Sequence, residues 1–178
     1  MKIKVKEIVK GCSPIIFNCG DYFDLCTAED VTLTAPLANQ LHKWKYKTKP
    51  APDIKLSDVE FDYALIRLGV AMEIPKGYEA ILVPRSSTFK KWGLLQTNSI
   101  GIIDNSYKGD KDEWKLAVVA TRNVTIPKGT RLCQFRIQLS QKATVWQKIK
   151  WFFASGIKLI EVDNLDDNSR GGFGSTGV

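Results

Sequence analysis

Chemistry is most concentrated in one run, Asn98-Ser99-Ile100-Gly101-Ile102-Ile103-Asp104-Asn105-Ser106-Tyr107-Lys108-Gly109-Asp110. Apolar residues lead into a cluster of turn formers, so the segment reads as a hairpin with Asp104 near its tip. A carboxylate held there can take a proton from water, and a neighbouring tyrosine can stack on a sugar. The same spacing also suits an aspartate that only caps its own turn. Two further segments carry phosphate-binding groups. Pro84-Arg85-Ser86-Ser87 follows a strand-like run and sets a guanidinium beside two hydroxyls. The run Arg170-Gly171-Gly172-Phe173-Gly174-Ser175-Thr176-Gly177-Val178 combines an arginine, glycine-freed backbone N–H groups, an aromatic ring and two hydroxyls. Those are the parts of a clamp for a phosphorylated molecule with a flat ring. Each has a plainer alternative when read singly: a solvated surface arginine for the first, a frayed terminus for the second.

These groups need a scaffold, and the composition bounds what it is. A chain of 178 residues suggests one domain with a real core. Hydrophobic residues at 44% and charged residues at 25% fit a globular protein in water. No apolar run is long enough to span a bilayer, and the start, Met1-Lys2-Ile3-Lys4-Val5-Lys6, lacks the apolar stretch of a signal peptide, so a cytoplasmic location is expected. Cys12, Cys19, Cys26 and Cys133 form no Cys-x-x-Cys pair and His42 is the single histidine, which argues against a structural zinc site. Reduced, partly buried thiols are expected instead. The net charge of +7 favours a polyanionic partner without choosing among nucleic acid, a nucleotide polyphosphate and an anionic membrane surface.

Several segments alternate apolar and polar residues with the period of a half-buried strand: Ile3-Lys4-Val5-Lys6, Tyr78-Glu79-Ala80-Ile81-Leu82-Val83 and Leu132-Cys133-Gln134-Phe135-Arg136-Ile137. Pro75-Lys76-Gly77 and Pro127-Lys128-Gly129 suit tight turns between them. Many short strands punctuated by Gly and Pro predict an all-β barrel or jelly roll. One segment breaks the pattern. Residues 144–155 read as an amphipathic helix with Val145, Ile149 and Phe152 on one face, widened by Trp146 and Phe153. Thr144 with Gln147 fits a capping box, Gly156 suits the helix end, and the apolar face is expected to pack on the β core or a neighbouring subunit. Residues 39–58 interleave lysines with His42, Trp44 and Tyr46, a composition that can bind single-stranded nucleic acid, although an exposed hairpin is the expected reading. Residues 163–178 lack core-forming side chains and are expected to be a mobile tail that a ligand orders, beyond a β domain over 1–162.

In order, these segments resemble the five motifs of the trimeric dUTPase family. The first is Gly20-Asp21-Tyr22-Phe23-Asp24-Leu25 followed by Ala28-Glu29-Asp30-Val31. The second is Pro84-Arg85-Ser86-Ser87, the third residues 98–109, the fourth Gly129-Thr130-Arg131-Leu132-Cys133-Gln134 and the fifth residues 170–177. The resemblance spans nearly the whole chain and implies the family's distorted jelly roll, with residues 39–58 and 144–155 as additions to the compact core. It implies Mg²⁺-dependent cleavage of dUTP to dUMP and pyrophosphate, which limits uracil in DNA and supplies dUMP for dTMP synthesis. It implies Asp104 as the base that deprotonates the attacking water. A uracil pocket would form from Asn98 and the backbone around Gly101 and Ile103, and Tyr107 would stack under the deoxyribose. Arg85, Ser86, Ser87 and Gln134 would hold phosphate oxygens, and Asp24 would hold the metal through water. In the tail, Phe173 would lie over the base, with Arg170, Gly174, Ser175 and Thr176 on the phosphates. A homotrimer with shared sites is implied; no nucleic-acid or membrane partner is expected.

Two neighbouring readings share this fold. A dCTP deaminase needs a glutamate three residues before an asparagine late in the sheet, where this chain has Ala120 before Asn123. A dUTPase-derived regulatory binding protein would use the same scaffold without requiring turnover.

Overall fold

A computed structural model describes residues 1–16, 20–35, 61–154, 156–165 and 169–172. Period-two alternation becomes strand where it was expected. The three alternating segments lie in β1 (Lys2–Glu7), β7 (Tyr78–Pro84) and β12 (Arg131–Leu139). Both Pro-Lys-Gly segments turn the chain. The Tyr78 N–H donates to the Pro75 carbonyl at 3.1 Å and the Thr130 N–H to the Pro127 carbonyl at 3.2 Å. Gly77 and Gly129 sit at φ of 86° and 79°, a region that L side chains rarely adopt.

The remaining strands are β2 (Ile15–Ile16), β3 (Phe23–Cys26), β4 (Val31–Leu33), β5 (Tyr63–Arg67), β6 (Val70–Glu73), β8 (Leu94–Gln96), β9 (Gly101–Asp104), β10 (Lys115–Ala120), β11 (Val124–Ile126) and β13 (Lys158–Glu161). Among the described residues two helices accompany them, α1 (Thr88–Trp92) and α2 (Val145–Phe152). A five-stranded sheet in the order β2-β3-β12-β7-β9 carries the candidate site. Around it stand β13-β1-β6, β5-β10-β8 and the pair β11-β4. The fold is therefore all-β in the jelly-roll manner, with few helices. The core closes on three rings: Phe23 stacks on Phe135 at 5.1 Å, and Trp114 meets Phe135 edge-on at 5.0 Å. Cys12, Cys26 and Cys133 are buried free thiols in that interior, and burial pushes the Cys12 thiol up to about 12.

The structure corrects three expectations. The third motif is not a two-stranded hairpin. β9 pairs antiparallel with β7, from Gly101 opposite Leu82 to Asp104 opposite Glu79, and the chain after Asp104 runs through turns to Trp114 without a returning strand. β7 already offers a paired edge, so the apolar approach docks there and only the turn at Asp104 remains of the hairpin. The helix keeps its capping box but ends at Phe152 with Phe153 as its C-cap, short of Gly156. Its apolar face, expected on the β core or a neighbouring subunit, does not pack on the core of its own chain: Val145, Trp146, Ile149, Phe152 and Phe153 are exposed there. The body is held instead by Trp151, whose ring lies 5.6 Å from that of Tyr78, and by the Gln147 amide, which donates to the Lys76 carbonyl at 2.6 Å. Third, the root of the tail is fastened rather than loose. Leu165 is buried and its N–H donates to Asp110 at 2.7 Å. The 39–58 excursion and the tail from Phe173 onward lie outside the described residues.

Candidate active site

Two clusters form on the five-stranded sheet, one on each side of β7. The first grows from neighbouring strands: Gln134 of β12 stands opposite Asp24 of β3 on one side and Val83 of β7 on the other. Arg85 follows directly on β7, its N–H donating to the Leu132 carbonyl at 3.0 Å. Asp24, only 5% exposed, is clamped by two guanidiniums: Arg85 Nε at 3.1 Å from Oδ1 and Arg131 Nη1 at 3.2 Å from Oδ2. A buried carboxylate with both oxygens paired to arginine fixes the forks of its partners. A cavity of about 380 Å³ opens over this cluster, lined by Asp21, Tyr22, Asp24, Arg85, Arg131 and Gln134 among others. Ser86 is exposed, and Ser87 is the N-cap residue of α1 without a capping bond from its side chain.

The second cluster grows from the turn after β9. The Ser106 N–H donates to Asp104 Oδ1 at 2.9 Å, closing an Asx turn, and the Ser106 hydroxyl donates to the same oxygen. Arg170 Nη1 reaches Ser106 Oγ and lies 3.5 Å from Asp104 Oδ1. The Ser106 hydroxyl, its backbone N–H and the Arg170 guanidinium together hold the Asp104 carboxyl below the usual carboxylate range, against the opposing pull of desolvation. Asp104 is therefore ionised at neutral pH. Tyr107 lies against the body, its hydroxyl donating to the Glu113 carbonyl at 2.8 Å, and burial pushes the phenol up to about 12, so it stays neutral. Glu113 is itself held by Arg67 Nε at 2.9 Å and the Gly69 N–H at 3.0 Å.

Of the residues singled out by sequence, the fold brings Asp24, Arg85 and Gln134 together, and separately Asp104, Tyr107 and Arg170. Asn98 sits between them: the Gln96 amide bridges its Oδ1 at 2.9 Å to the Leu82 carbonyl at 3.3 Å. Gly101 passes so close to β7 that an added Cβ would lie 3.1 Å from Leu82 Cβ, and Ile103 pairs with Ala80. The clusters do not meet within one chain. Asp104 is level with Glu79 while Gln134 is level with Val83, roughly 14 Å further along the strand at about 3.4 Å per residue, with β7 between them. Phe173, Gly174, Ser175 and Thr176 lie outside the described residues.

Sequence reasoning gave Arg131, Ser106 and Asp112 no role. In a regular strand Arg131 and Gln134 point to opposite faces. A register shift between Arg131 and Cys133 lets both line one cavity. Ser106 was legible only as a turn former. Asp112 is fully buried and accepts backbone N–H groups from both its own loop and the tail.

The donor set decides how a metal would be held. Among the described residues no three His, Cys, Asp or Glu side chains gather as a cage. Asp21 and Asp24 line the arginine pocket. One or two carboxylates beside two arginines fit a hydrated Mg²⁺ ion, which keeps several waters and needs no all-protein cage.

The fold and site thus define an all-β protein that sets an ionised, tyrosine-flanked aspartate on the same sheet as a pocket lined by two arginines. The dUTPase family model matches residues 51–177. The chain is 40% identical to the SPbeta prophage-derived deoxyuridine 5'-triphosphate nucleotidohydrolase YosS of Bacillus subtilis, over 100% of this chain and 99% of that one. Solved structures share the fold. A mutant of the Staphylococcus bacteriophage 80alpha dUTPase with dUpNHpp superposes at a TM-score of 0.57, with 18% identity, covering 80% of this chain and 93% of that one. A mutant dUTPase from phage phi11 of S. aureus, described with a structural Mg(II) ion, gives a TM-score of 0.57 at 17% identity, covering 80% and 94%. The chain belongs to the dUTPase family.

Proposed function

We propose that the chain hydrolyses dUTP to dUMP and pyrophosphate with Mg²⁺, in a homotrimer whose sites are shared between copies. The observation that carries this reading is Asp104: an ionised carboxylate fixed by Ser106 beside a neutral Tyr107, in a chain of the dUTPase family. Asp104 takes a proton from water, the resulting hydroxide attacks the α-phosphorus, and the bond to the α,β-bridging oxygen breaks to release pyrophosphate. Tyr107 supports the deoxyribose and leaves no room for a 2′-hydroxyl. Asn98 and the backbone of Gly101 and Ile103 read the uracil edge, rejecting cytosine by mismatched donors and thymine by its methyl.

Arg85, Arg131, Gln134, Ser86 and Ser87 hold phosphate oxygens. Asp24 would hold Mg²⁺ through water, and what such an ion would supply is the neutralisation of phosphate charge beside Arg85 and Arg131. Phe173, with Arg170, Gly174, Ser175 and Thr176, covers the bound nucleotide and excludes water. The separation of the two clusters along β7 supports sharing: one copy offers the base and its pocket, another the phosphate cradle. The relatives' ligands agree with the reading, since the 80alpha enzyme is described with dUpNHpp and the phi11 enzyme with Mg(II). The reading places the chain in the cytoplasm; among the described residues no helix is long and apolar enough to cross a membrane.

Deamination of dCTP is disfavoured by the geometry. Ala120 is fully buried, and Asn123 Oδ1 accepts the Ala35 N–H at 2.9 Å, so neither offers a proton shuttle. The deciding assay is pyrophosphate release with Mg²⁺ from dUTP, dCTP, dTTP and UTP, alongside ammonia release from dCTP. Release from dUTP alone is expected; ammonia from dCTP, or equal dUTP turnover by wild type and Asp104→Asn, would overturn the assignment.

A further inference from the structure

We propose that Asp112 is a positioning residue that locks the root of the C-terminal tail onto the loop carrying Asp104 and Tyr107, fixing where the tail enters the active site. The proposal rests on the dUTPase reading for its catalytic consequence, but the lock itself is a matter of geometry.

Asp112 is completely buried, and four backbone N–H groups converge on its carboxylate. Two come from its own loop: Lys108 at 3.1 Å and Gly109 at 2.9 Å, both to Oδ2. Two come from the tail: Arg170 at 3.0 Å to Oδ2 and Gly171 at 2.9 Å to Oδ1. A carboxylate that served only its loop would need the first pair alone. The second pair joins segments 58 and 59 residues apart, and buried charge-assisted bonds of this kind are costly to leave unmade.

The surfaces on either side are cut to fit the junction. A Cβ on Gly109 would lie 2.5 Å from the Ser169 Cα and backbone nitrogen, so only glycine admits the tail there. A Cβ on Gly172 would lie 2.9 Å from Cε2 of the Tyr107 ring, so the tail passes close against that ring where only glycine fits. The Lys111 N–H donates to Ser169 Oγ at 2.8 Å as a further tie. The consequence reaches the base directly. With the backbone of residue 170 pinned, its guanidinium is delivered to Ser106 and Asp104. Asp112 touches neither base nor substrate; it acts through Arg170 and through the course of the tail.

The experiment uses the full-length protein and three variants. Asp112→Asn keeps the shape but turns an amide NH₂ toward backbone donors. Gly109→Ala leaves Asp112 in place and pushes Ser169 away. Arg170→Gln removes only the delivered charge. Three readouts are taken: the rate of tryptic cleavage after Arg170 in the proteins that keep it, the separate KM and kcat for dUTP, and the acid limb of the pH profile. Asp112→Asn and Gly109→Ala should each speed cleavage after Arg170 about tenfold or more, the scale of losing hydrogen bonds to a charged group. Both should raise KM more than they lower kcat. Asp112→Asn should move the acid limb upward as Arg170→Gln does, and the double variant should move it no further.

Wild-type cleavage rates in both Asp112→Asn and Gly109→Ala would overturn the proposal, as would a fall in kcat with KM and acid limb unmoved, the pattern of a merely loosened loop. If Asp112→Asn fails to fold, Gly109→Ala alone decides by the same readouts. If wild type released no pyrophosphate from dUTP, the functional reading would fall while the tryptic comparison still judged the lock.

Discussion

At the residue scale, the Ser106 hydroxyl is the first cause of the depressed Asp104 carboxyl, and the consequence for pH has a definite sign. A base must be ionised to work, so activity is present above its folded pKa and falls away as pH drops through it. Because that pKa lies below the usual carboxylate range, the acid limb of kcat/KM should sit lower than for an ordinary aspartate. Ser106→Ala removes the hydroxyl bond, lets the pKa climb back, and should shift the acid limb to higher pH; an unmoved limb would mean that another group governs it. Asp104→Asn should cost about 10²–10⁴-fold in kcat, the usual scale of losing a general base. Asp104, Tyr107, Arg85 and Gln134 stood out in the sequence because their side-chain types lie in short contiguous motifs, and the fold places them in the two clusters. Arg131 and Asp112 did not stand out. The role of Arg131 depends on a bulge that no alternation pattern announces, and the partners of Asp112 lie in the tail. In this fold the Arg170 side chain meets Asp104 and Ser106.

At the element scale, local signals were read well where they were self-contained. The capping box of α2 forms as the sequence implied, with the Gln147 N–H on Thr144 Oγ1 at 3.3 Å and the Thr144 N–H on Gln147 Oε1 at 2.8 Å. Which face of α2 meets the body was not legible, because helical periodicity reports an apolar stripe without saying what lies against it. Here a single inward ring, Trp151, and the Gln147 amide set the orientation. Gln147→Ala should therefore cost about 1 kcal/mol or somewhat more, removing a cap and the bond to the Lys76 carbonyl together. Hydrogen exchange over Val145–Phe152 should rise while exchange in β12 stays unchanged; unchanged exchange in α2 would show that Trp151 alone holds the helix. The third motif failed as a hairpin for a related reason: turn chemistry predicts a bend but not which strand pairs with the one leading into it, and β7 was nearer than any return.

At the scale of the whole molecule, the sheet holds the two halves of the proposed chemistry apart. Along β7, Glu79 marks the level of Asp104 and Val83 the level of Gln134, so a nucleotide whose α-phosphorus meets this Asp104 cannot place its phosphates on this Arg85. A closed ring of copies resolves the mismatch, since each heterologous contact can set the base of one chain against the arginine pocket of the next. This yields a prediction that no single-chain site can satisfy. Asp104→Asn and Arg85→Ala should each be nearly inactive when purified alone. When the two are co-expressed or refolded together at equal concentration, roughly one site in four should draw an intact Asp104 from one copy and an intact Arg85 from another, restoring about a quarter of wild-type turnover if copies mix at random around a ring. Mixing the two folded proteins without exchange of subunits should restore nothing, which separates complementation from contamination. Persistent inactivity of the co-assembled mixture, with mixed oligomers verified by mass, would place both clusters in one site of one chain and require β9 to move along β7 when dUTP binds.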